Sequence, residues 1–471
     1  MRSNEPTKKK KAMKTMKTFL SMAALALVGA MMTGCSSDDS IIDNPQPVNQ
    51  SKLVTLTTTV GLDGGATTRA LTSTGTKTFA EGDQIAVIYT KNGGTVTKAV
   101  SVALPAGDYG ANATFTVTLD DPDRTQDVTY IYPAAMAGET GVDYTKLNSQ
   151  TGGTLADLGS KYDLCTNSGA WNAGALPSLT LNNQLAILAI TLKDIDGSNT
   201  ITSTITGMTI SDGTNNYAVT RSAAAGPIYV AIQPTTDAQI WISATDGTKT
   251  YIKKLTKTYA TGNGYNVSWK MATFGNVIAS NGNFYASATA ATTDGTTAVA
   301  VITYVGSATG EDAPYTHGLA LAMSDANNGS KRMWRSSTGD AGHTRQFSSS
   351  FTSESGLQYN DAMHNLDMYP AFKYARANNG TAAPTGCSAW FLPTGYQFNQ
   401  MRTAAGSSSN LLNCFSSVGG TNMKSTSNNG YWVASEYNPQ NAWLYVTSVY
   451  TGSWENLAKN QAYNVRSAIA F

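Results

Sequence analysis

The sequence predicts a mainly β protein, in which tandem antiparallel β-sandwiches precede a region of mixed α and β structure. Three observations predict this architecture. Segments that alternate Thr with apolar residues recur along residues 53–270, turns rich in Gly and Asn separate them, and the pattern changes near residue 272. The length of 471 residues is enough for two or three domains.

The alternating segments predict strands that bury one face. Residues 53–60 and 113–119 alternate Thr with Val, Leu, Ala or Phe, which is the period of two expected of a half-buried strand. Leu185–Leu192 is almost entirely apolar, as is typical of a central strand covered on both faces. We therefore expect two small antiparallel sandwiches over residues 53–270.

Residues 272–471 have a different composition and predict a separate α+β domain. Asp361–Ala377 and Gly395–Thr403 have helical character. Ala462–Phe471 predicts the last strand.

Charge and composition exclude two classes of protein. The formal net charge is +1, only 13% of residues are charged, and no basic block follows the start of the chain. The electrostatic footprint of a nucleic-acid-binding protein is therefore missing, and we expect no nucleic-acid partner. The hydrophobic content of 41% is too high for a disordered chain.

The start of the chain has the pattern of an export signal. Lysine-rich Lys8–Lys17 precedes the apolar segment Phe19–Met32, which is shorter than the roughly 20 residues that a membrane-spanning helix needs. Thr33-Gly34-Cys35 follows and resembles the bacterial lipobox, which implies lipidation of Cys35; the alternative is a buried free cysteine. We expect a lipoprotein signal peptide over 1–34, a tether over 35–52, and a location at the bacterial outer membrane and cell surface.

An odd number of cysteines is left once the predicted lipidation site, Cys35, is excluded. Cys165, Cys387 and Cys414 remain, and three thiols cannot all pair within one chain. One interpretation is a disulfide between Cys387 and Cys414, which share the C-terminal region. The other is that all three are small buried hydrophobes. No Cys/His cluster has the spacing of a zinc site.

Three stretches resemble the fimbrillin or Mfa-like family, whose members are the subunits of type V pili. They are Thr67–Ala70 with the following Phe79–Ile85, the segment Leu179–Lys193, and Tyr259–Tyr265. The chain departs from the family pattern where Leu181 and Gln184 replace a Phe and a His. The resemblance covers residues 51–270 and implies transthyretin-like sandwiches and a place in a fimbrium.

The resemblance also implies a mechanism of assembly. A surface protease that cuts after Arg69 would leave Ala70 at the new N-terminus and remove both the lipid and the first strand, Leu53–Val60. The open groove would then accept a strand from another pilin subunit, which is donor-strand exchange. Lys77 and Arg221 are alternative cleavage positions, and an ordinary solvated loop arginine is the alternative reading of Arg69.

Residues 272–471 resemble the C-type-lectin-like domain of bacterial surface proteins. The motifs are Trp390–Tyr396, Gly430–Glu436, Ala442-Trp443 and Tyr463–Arg466. The resemblance implies attachment to a host or bacterial surface ligand, with glycans among the candidates. Ordinary pilins end in a donor strand, whereas this chain ends inside the lectin-like region, which predicts a position at the tip.

Residues around Pro439 form the predicted ligand site. Its members are Glu436, Asn438, Asn441 and Trp454. They loosely resemble the loop and strand that hold calcium in C-type lectins, although neither motif is intact. The resemblance leaves calcium open, and we predict no required cofactor or metal.

No catalytic motif accompanies these features. The chain has three His, and neither a nucleophile elbow nor an HExxH sequence occurs, so we predict that it is not an enzyme. The Gly-rich loop with Asp340, His343 and Arg345 is read either as a ligand loop or as a solvated loop. The sequence thus predicts a fimbrial tip subunit and adhesin; the alternative is a lipid-anchored surface glycan-binding lipoprotein that does not polymerise.

Overall fold

The computed structural model describes residues 52–63, 77–107, 109–221, 226–425, 429–447 and 452–471. These residues belong to one compact unit, Ser51–Phe471. Cys35, Arg69 and Ala70, which carry the predicted lipidation and cleavage, lie outside the described residues.

Strands dominate the described residues, so the prediction of a mainly β fold is confirmed. In chain order the strands are β1 (Leu53–Leu62), β2 (Ala86–Thr90), β3 (Val96–Val100), β4 (Asn112–Asp120), β5 (Val128–Tyr132), β6 (Ser149–Thr151), β7 (Cys165–Gly169), β8 (Leu179–Asn183), β9 (Ala186–Asp194), β10 (Gly207–Ser211), β11 (Asn216–Thr220), β12 (Ile228–Ile232), β13 (Thr235–Thr245), β14 (Thr250–Tyr259), β15 (Gly264–Thr273), β16 (Val277–Ala279), β17 (Phe284–Tyr285), β18 (Ala298–Val305), β19 (Gly318–Ala322), β20 (Arg332–Met333), β21 (Gly430–Glu436), β22 (Asn441–Thr447), β23 (Gly452–Ala458), β24 (Ala462–Tyr463) and β25 (Ala468–Ala470).

The helices are short, and most of them follow residue 280. The α-helices are α1 (Leu155–Lys161), α2 (Ala288–Thr293), α3 (Gly356–Met363), α4 (Pro370–Ala377), α5 (Gly395–Ala404) and α6 (Ser408–Asn413). Short 3-10 helices cover Ala134–Met136, Tyr144–Asn148, Thr202–Thr204, Ala326–Gly329, Asn378–Gly380 and Ser416–Val418.

The first sheet holds the N-terminal strand in its interior. Its strand order is β3-β2-β5-β7-β8-β1-β4. The Val102 amide, just past β3, donates to the Thr116 carbonyl oxygen of β4, so the two ends of the sheet meet. The enclosed core includes Phe115, Tyr130 and Leu181, all fully buried.

The second sheet is built around the apolar segment that the sequence predicts as a central strand. Its order is β12-β9-β15-β14-β13-β10-β11-β6. β9 lies between β12 and β15, and its residues Ile187, Leu188 and Ile190 are almost completely buried. The prediction of a strand buried on both faces is confirmed.

The C-terminal residues form a five-stranded sheet, β17-β16-β18-β19-β25, with a three-stranded sheet, β21-β22-β23, and the pair β20-β24. One apolar cluster joins this region to β13 of the second sheet. Trp241 stacks on His317 and on Phe471, with ring centroids 4.2 Å and 6.2 Å apart. This apolar cluster contains residues from both sides of the predicted domain boundary at residues 270–272. The boundary itself stays a prediction.

The helix predicted over Asp361–Ala377 is two helices. α3 ends at Met363 and α4 begins at Pro370. Proline lacks an amide hydrogen and its ring is tolerated only in the first turn, so Pro370 starts a helix and cannot continue one. The helix predicted from Gly395 is present, and Thr394 and Gln397 form a capping box at its start.

Of the two interpretations of Cys387 and Cys414, the structure contradicts the disulfide and agrees with free thiols. Both are free thiols, as is Cys165. Cys387 packs against the cluster around Trp390, whereas Cys414 packs against a different one around Phe415. Burial raises the pKa of both thiols to about 11, so they stay protonated and behave as small apolar side chains.

Burial holds two histidines in their neutral form. It lowers the pKa of His317 and of His343 to about 4. His317 stacks on Trp241, and the His343 ring lies 3.8 Å from the ring of Tyr359, centroid to centroid. Protonation would therefore place a cation among aromatic side chains.

We expect acid to destabilise the fold through these rings. Their folded pKa is depressed, so between about pH 6.5 and about pH 4 the unfolded chain binds more protons and the free energy of unfolding falls as the pH falls. His317→Phe keeps an aromatic ring against Trp241 and should remove part of this dependence. Urea denaturation at about pH 7 and about pH 4.5 measures it. An equal loss of stability in wild type and variant would contradict the role of His317.

Candidate functional site

The candidate site is the groove that holds β1. This strand pairs with β4 in antiparallel register from Leu53 opposite Asp120 to Gly61 opposite Asn112. On its other side it pairs with β8 in parallel register, where Val60 lies opposite Leu179. β1 is therefore an interior strand, with its backbone groups bonded on both sides along its C-terminal part.

The C-terminal half of β1 supplies part of the sandwich core. Val60 is fully buried and Leu62 is 4% exposed, whereas Leu53 at the other end is 61% exposed. Complete burial of one such side chain contributes about 1.5–3 kcal/mol. The groove therefore has apolar positions that any replacement strand would need to fill.

A buried hydrogen-bond pair fixes the middle of β1. The Thr58 hydroxyl donates to the Pro177 carbonyl oxygen at 2.8 Å, and the Tyr130 hydroxyl donates to the same oxygen at 2.9 Å. Burial raises the pKa of Tyr130 to about 12, so its hydroxyl keeps the proton that it donates. The groove thus selects a small hydroxyl side chain at the position of Thr58.

Gly61 allows β1 to approach its neighbours closely. A Cβ at this position would lie 2.8 Å from Asn112 Oδ1 and 3.1 Å from Thr180 Oγ1. The first contact is shorter than real Cβ atoms make, so the Asn112 side chain would have to shift, and the second is tighter than usual. A strand that replaces β1 would need a residue without a side chain here, or a shift of Asn112.

Removal of β1 would leave two unpaired strand edges. β4 would lose its only strand partner in the described residues, and β8 would keep only β7. Exposed edges of this kind pair readily with another extended segment. The geometry is therefore that of an acceptor groove once β1 is absent.

The two alternative cleavage positions are unsuited to a protease in the folded chain. The Lys77 side chain is 12% exposed and its ammonium lies 2.7 Å from Asp163 Oδ2. Arg221 is 7% exposed. A protease that recognises a cationic side chain must draw it into a specificity pocket, which neither residue permits without local unfolding. Arg69 lies outside the described residues, and cleavage after it stays a prediction.

The predicted ligand residue Glu436 is in the interior. Its side chain and that of Lys459 are both 0% exposed, and the two form an ion pair. The Lys459 ammonium also donates to the carbonyl oxygens of Gly339 and Pro439, at 2.8 Å and 3.1 Å. Glu436 therefore holds two loops together and does not face solvent.

The other three predicted ligand residues also have internal partners. Asn438 Oδ1 accepts from the amides of Gln440 and Asn441, which closes a turn. Asn441 Nδ2 donates to Asn456 Oδ1 at 3.0 Å. Trp454 donates its indole N–H to Asn399, and its ring packs against Phe351, with 4.8 Å between centroids.

These residues do not fit a calcium site. Ca²⁺ needs six to eight oxygen ligands, several of them carboxylates, and a bound cation would have to displace Lys459 from Glu436. Among the residues that the structure describes, no three His, Cys, Asp or Glu side chains gather as metal ligands would. A ligand-binding role for Glu436, Asn438, Asn441 and Trp454 stays a prediction.

The loop with Asp340, His343 and Arg345 is more ordered than the sequence suggests. Asp340 and Arg345 form an ion pair on the surface. His343 is 8% exposed and its Nδ1 contacts the Ala434 carbonyl oxygen at 3.1 Å. The buried histidine ties the loop to β21, while Asp340, Gly342 and Arg345 stay exposed to solvent, so a loop that is solvated around one anchored residue describes it best.

Sequence reasoning missed a cleft of about 490 Å³ between β20, β24 and α4. It is lined by Lys331, Arg332, Met333, Asp367, Pro370, Lys373, Tyr374, Asn460 and Ala462. The Arg332 guanidinium lies 4.2 Å from the centroid of the Tyr374 ring. The lining has three cationic side chains, Lys331, Arg332 and Lys373, and one carboxylate, Asp367, which pairs with Lys373 at 2.6 Å. The adjacent Lys331 and Arg332 were the only sequence signal, since Lys373 approaches them only in the folded chain.

None of the helices in the described part of the chain has the length and apolar content that crossing a bilayer requires.

Comparisons with known proteins find only distant structural likeness. No protein-family model and no curated protein matches the chain. Among solved structures, a fimbrial protein from Bacteroides ovatus is 14% identical over 90% of this chain and 100% of its own, with a TM-score of 0.34. A tip fimbrial protein from Porphyromonas gingivalis, solved with a C-terminal truncation, is 9% identical over 47% of this chain and 95% of its own, with a TM-score of 0.22. Structural similarity at these TM-scores assigns no function to this chain.

Proposed function

We propose that this chain is a surface fimbrial subunit and adhesin that assembles by donor-strand exchange. It is exported as a lipoprotein with the lipid on Cys35, and a protease cuts it after Arg69. The cut releases β1, and a strand from another pilin subunit takes its place. The C-terminal region, residues 272–471, serves for attachment.

The observation that carries the proposal is the position of β1. This strand lies between β4 and β8, contributes Val60 and Leu62 to the core, and is followed within a few residues by Arg69. A cut at Arg69 would separate an interior strand from the rest of its sheet. β-Augmentation supplies backbone hydrogen bonds along the whole groove and side-chain pockets at alternate positions.

The proposal places the subunit at the tip of the fimbrium. β25, the last described strand, pairs with β19 in the interior of its region, and Ala468, Ile469 and Ala470 are fully buried. β25 is the end strand of its sheet, so donating it would take these three buried side chains out of the core and leave β19 without that partner. The burial of β25 supports a terminal position, because a subunit that accepts a strand and keeps its own strands in place would end a polymer.

The cleft beside α4 is the attachment site that we propose for the C-terminal region. Lys331 and Lys373 are exposed at its rim, and Tyr374 supplies an aromatic face. Cations beside an aromatic ring suit a sugar that carries a carboxylate or sulfate, because the charges pair and the sugar face stacks.

Charge reversal in the cleft is expected to weaken attachment. Lys331→Glu with Lys373→Glu should lower affinity for a sulfated or carboxylated glycan by about tenfold or more. Lys249→Glu with Lys257→Glu makes the same change in net charge on exposed positions elsewhere. Retention on an immobilised sulfated polysaccharide at increasing salt measures the effect. Equal retention of the two double variants would contradict a site in the cleft.

The test of the proposed function is the N-terminal sequence and mass of the protein in sheared surface filaments. A mature chain that begins at Ala70 and carries no lipid supports strand removal and polymerisation. A chain that still begins at acylated Cys35 and occurs only in membranes contradicts it. That result would favour the alternative of an anchored glycan-binding lipoprotein.

A further inference from the structure

A buried cluster of four polar side chains lies at the end of β8, next to the groove. The Lys77 Nζ is 2.7 Å from Asp163 Oδ2, 2.8 Å from Cys165 Sγ and 3.4 Å from Asn183 Oδ1. The Cys165 thiol donates to Asn183 Oδ1 at 2.8 Å. Asp163, Cys165 and Asn183 are each at most 9% exposed. The cluster therefore places an amine beside a carboxamide in a largely buried site.

We propose that Lys77 and Asn183 become joined by an intramolecular isopeptide bond. The chemistry needs a nucleophile, a base and a donor at the developing oxyanion, and each is present within hydrogen-bond distance. Lys77 is the nucleophile, Asp163 is the base, and the Cys165 thiol is the donor to Asn183 Oδ1.

The reaction balances without any oxidant or reductant. Asp163 takes a proton from the Lys77 ammonium, and the free amine attacks Cγ of Asn183 to form the C–N bond. Asp163 returns the proton to Nδ2 as the bond from Cγ to Nδ2 breaks. Ammonia is the leaving group. The attacking nitrogen loses a second proton, which converts the ammonia to ammonium in solvent. Asp163 therefore ends the reaction in its starting carboxylate form.

The electrostatics of the cluster hold Lys77 as an ammonium in the resting chain, so the proposed attack requires that Asp163, 2.7 Å away, first takes a proton from it. Burial acts to lower the pKa of Lys77, but Asp163 and Cys165 together outweigh it and hold that pKa above its usual range. Lys77 and Asp163 are thus tightly paired, which is the arrangement from which a proton can pass directly between them. Burial raises the pKa of the Cys165 thiol to about 12, although Lys77 opposes this, so the thiol keeps its proton for donation.

The bond would have a mechanical use that rests on the proposed function. Lys77 is the first described residue after the segment that carries Arg69, and Asn183 ends β8, one wall of the groove. A covalent link would tie the new N-terminal segment to that wall after β1 departs. Force transmitted along the filament would then not peel the segment away.

Tryptic mapping of the full chain tests the proposal. An isopeptide bond blocks cleavage after Lys77, so residues 70–91 should appear joined to residues 162–193, with the mass of the pair lowered by about 17 Da for the lost ammonia. Digestion of the wild-type chain is decisive, because this result does not require any variant to fold. Cleavage after Lys77 with residues 162–193 unlinked would overturn the proposal.

Two variants locate the chemistry. Lys77→Arg keeps the cation beside Asp163 but supplies a guanidinium that does not attack the carboxamide, so the joined peptide should vanish. Lys91→Arg changes a comparable pair, Lys91 with Asp120 at 2.6 Å, and should leave the joined peptide in place. A joined peptide that persists in Lys77→Arg would overturn the assignment. The peptide map uses the full chain, which the surface protease has not processed. Absence of the joined peptide would therefore leave the donor-strand proposal unaffected.

Discussion

Replacing Arg69 with Gln is expected to keep the chain lipid-anchored and absent from filaments. A trypsin-like protease binds the cationic side chain before the scissile bond, and loss of that charge leaves the buried polar groups of its pocket unpaired. Such mismatches reduce cleavage by on the order of 100-fold or more. β1 would then stay between β4 and β8, and the groove would remain closed to another strand.

The controls for this prediction separate the charge from its position. Arg69→Lys retains a cation and should still be cut, whereas Arg124→Gln removes an exposed arginine elsewhere and should have no effect. Immunoblots of filament and membrane fractions, with N-terminal sequencing, give the measurement. Filaments of the Arg69→Gln chain would contradict the prediction. Ala70 at their N-terminus would show that the charge of residue 69 is not needed, and any other N-terminus would show that a different bond is processed.

Glu436→Gln is expected to lower the free energy of unfolding by about 3–5 kcal/mol, the usual loss when one member of a buried ion pair is removed. Glu436 and Lys459 are both 0% exposed, so the variant would leave the Lys459 ammonium without a counter-charge in the interior. Its two carbonyl partners cannot offset a full charge. Urea denaturation followed by circular dichroism provides the comparison.

A second variant distinguishes charge pairing from ligand binding at Glu436. Combining Glu436→Gln with Lys459→Met removes both charges and should restore much of the lost stability, since a buried pair is often replaceable by apolar groups. The exposed pair of Lys373 and Asp367 is the matched control, and Asp367→Asn should change stability by no more than about 1 kcal/mol. A Glu436→Gln chain as stable as wild type would contradict the role of Glu436 as the counter-charge of Lys459.

Much of the β architecture was predictable because its signals are local. The alternation of Thr with apolar residues in β4 places Phe115 and Val117 in the core, as a period of two requires. The uninterrupted apolar run of β9 marks a strand covered on both faces. Helix boundaries were harder to predict than strands. The capping residue Thr394 marks the start of α5. The pattern over Asp361–Ala377 instead predicts one helix, although a new helix begins at Pro370.

The candidate ligand residues were harder to predict than the fold, because residue type does not reveal which partners a side chain has. Glu436 has the oxygen atoms of a metal ligand, but the fold gives it Lys459 as its partner. Lys331 and Lys373 have no significance as separate surface lysines, and they become a basic cleft only where β20 meets α4.

By itself, the sequence determined that this chain is mainly β and which segments form its central strands, and it predicts export and cleavage from short motifs. These features depend on neighbouring residues, so a linear pattern contains them. Only the tertiary structure decided that β1 lies between β4 and β8, that Glu436 is neutralised, and that Lys77 meets Asn183 across 106 positions of sequence. Contacts of that range follow from how sheets pair and close around a core, and no local pattern specifies them.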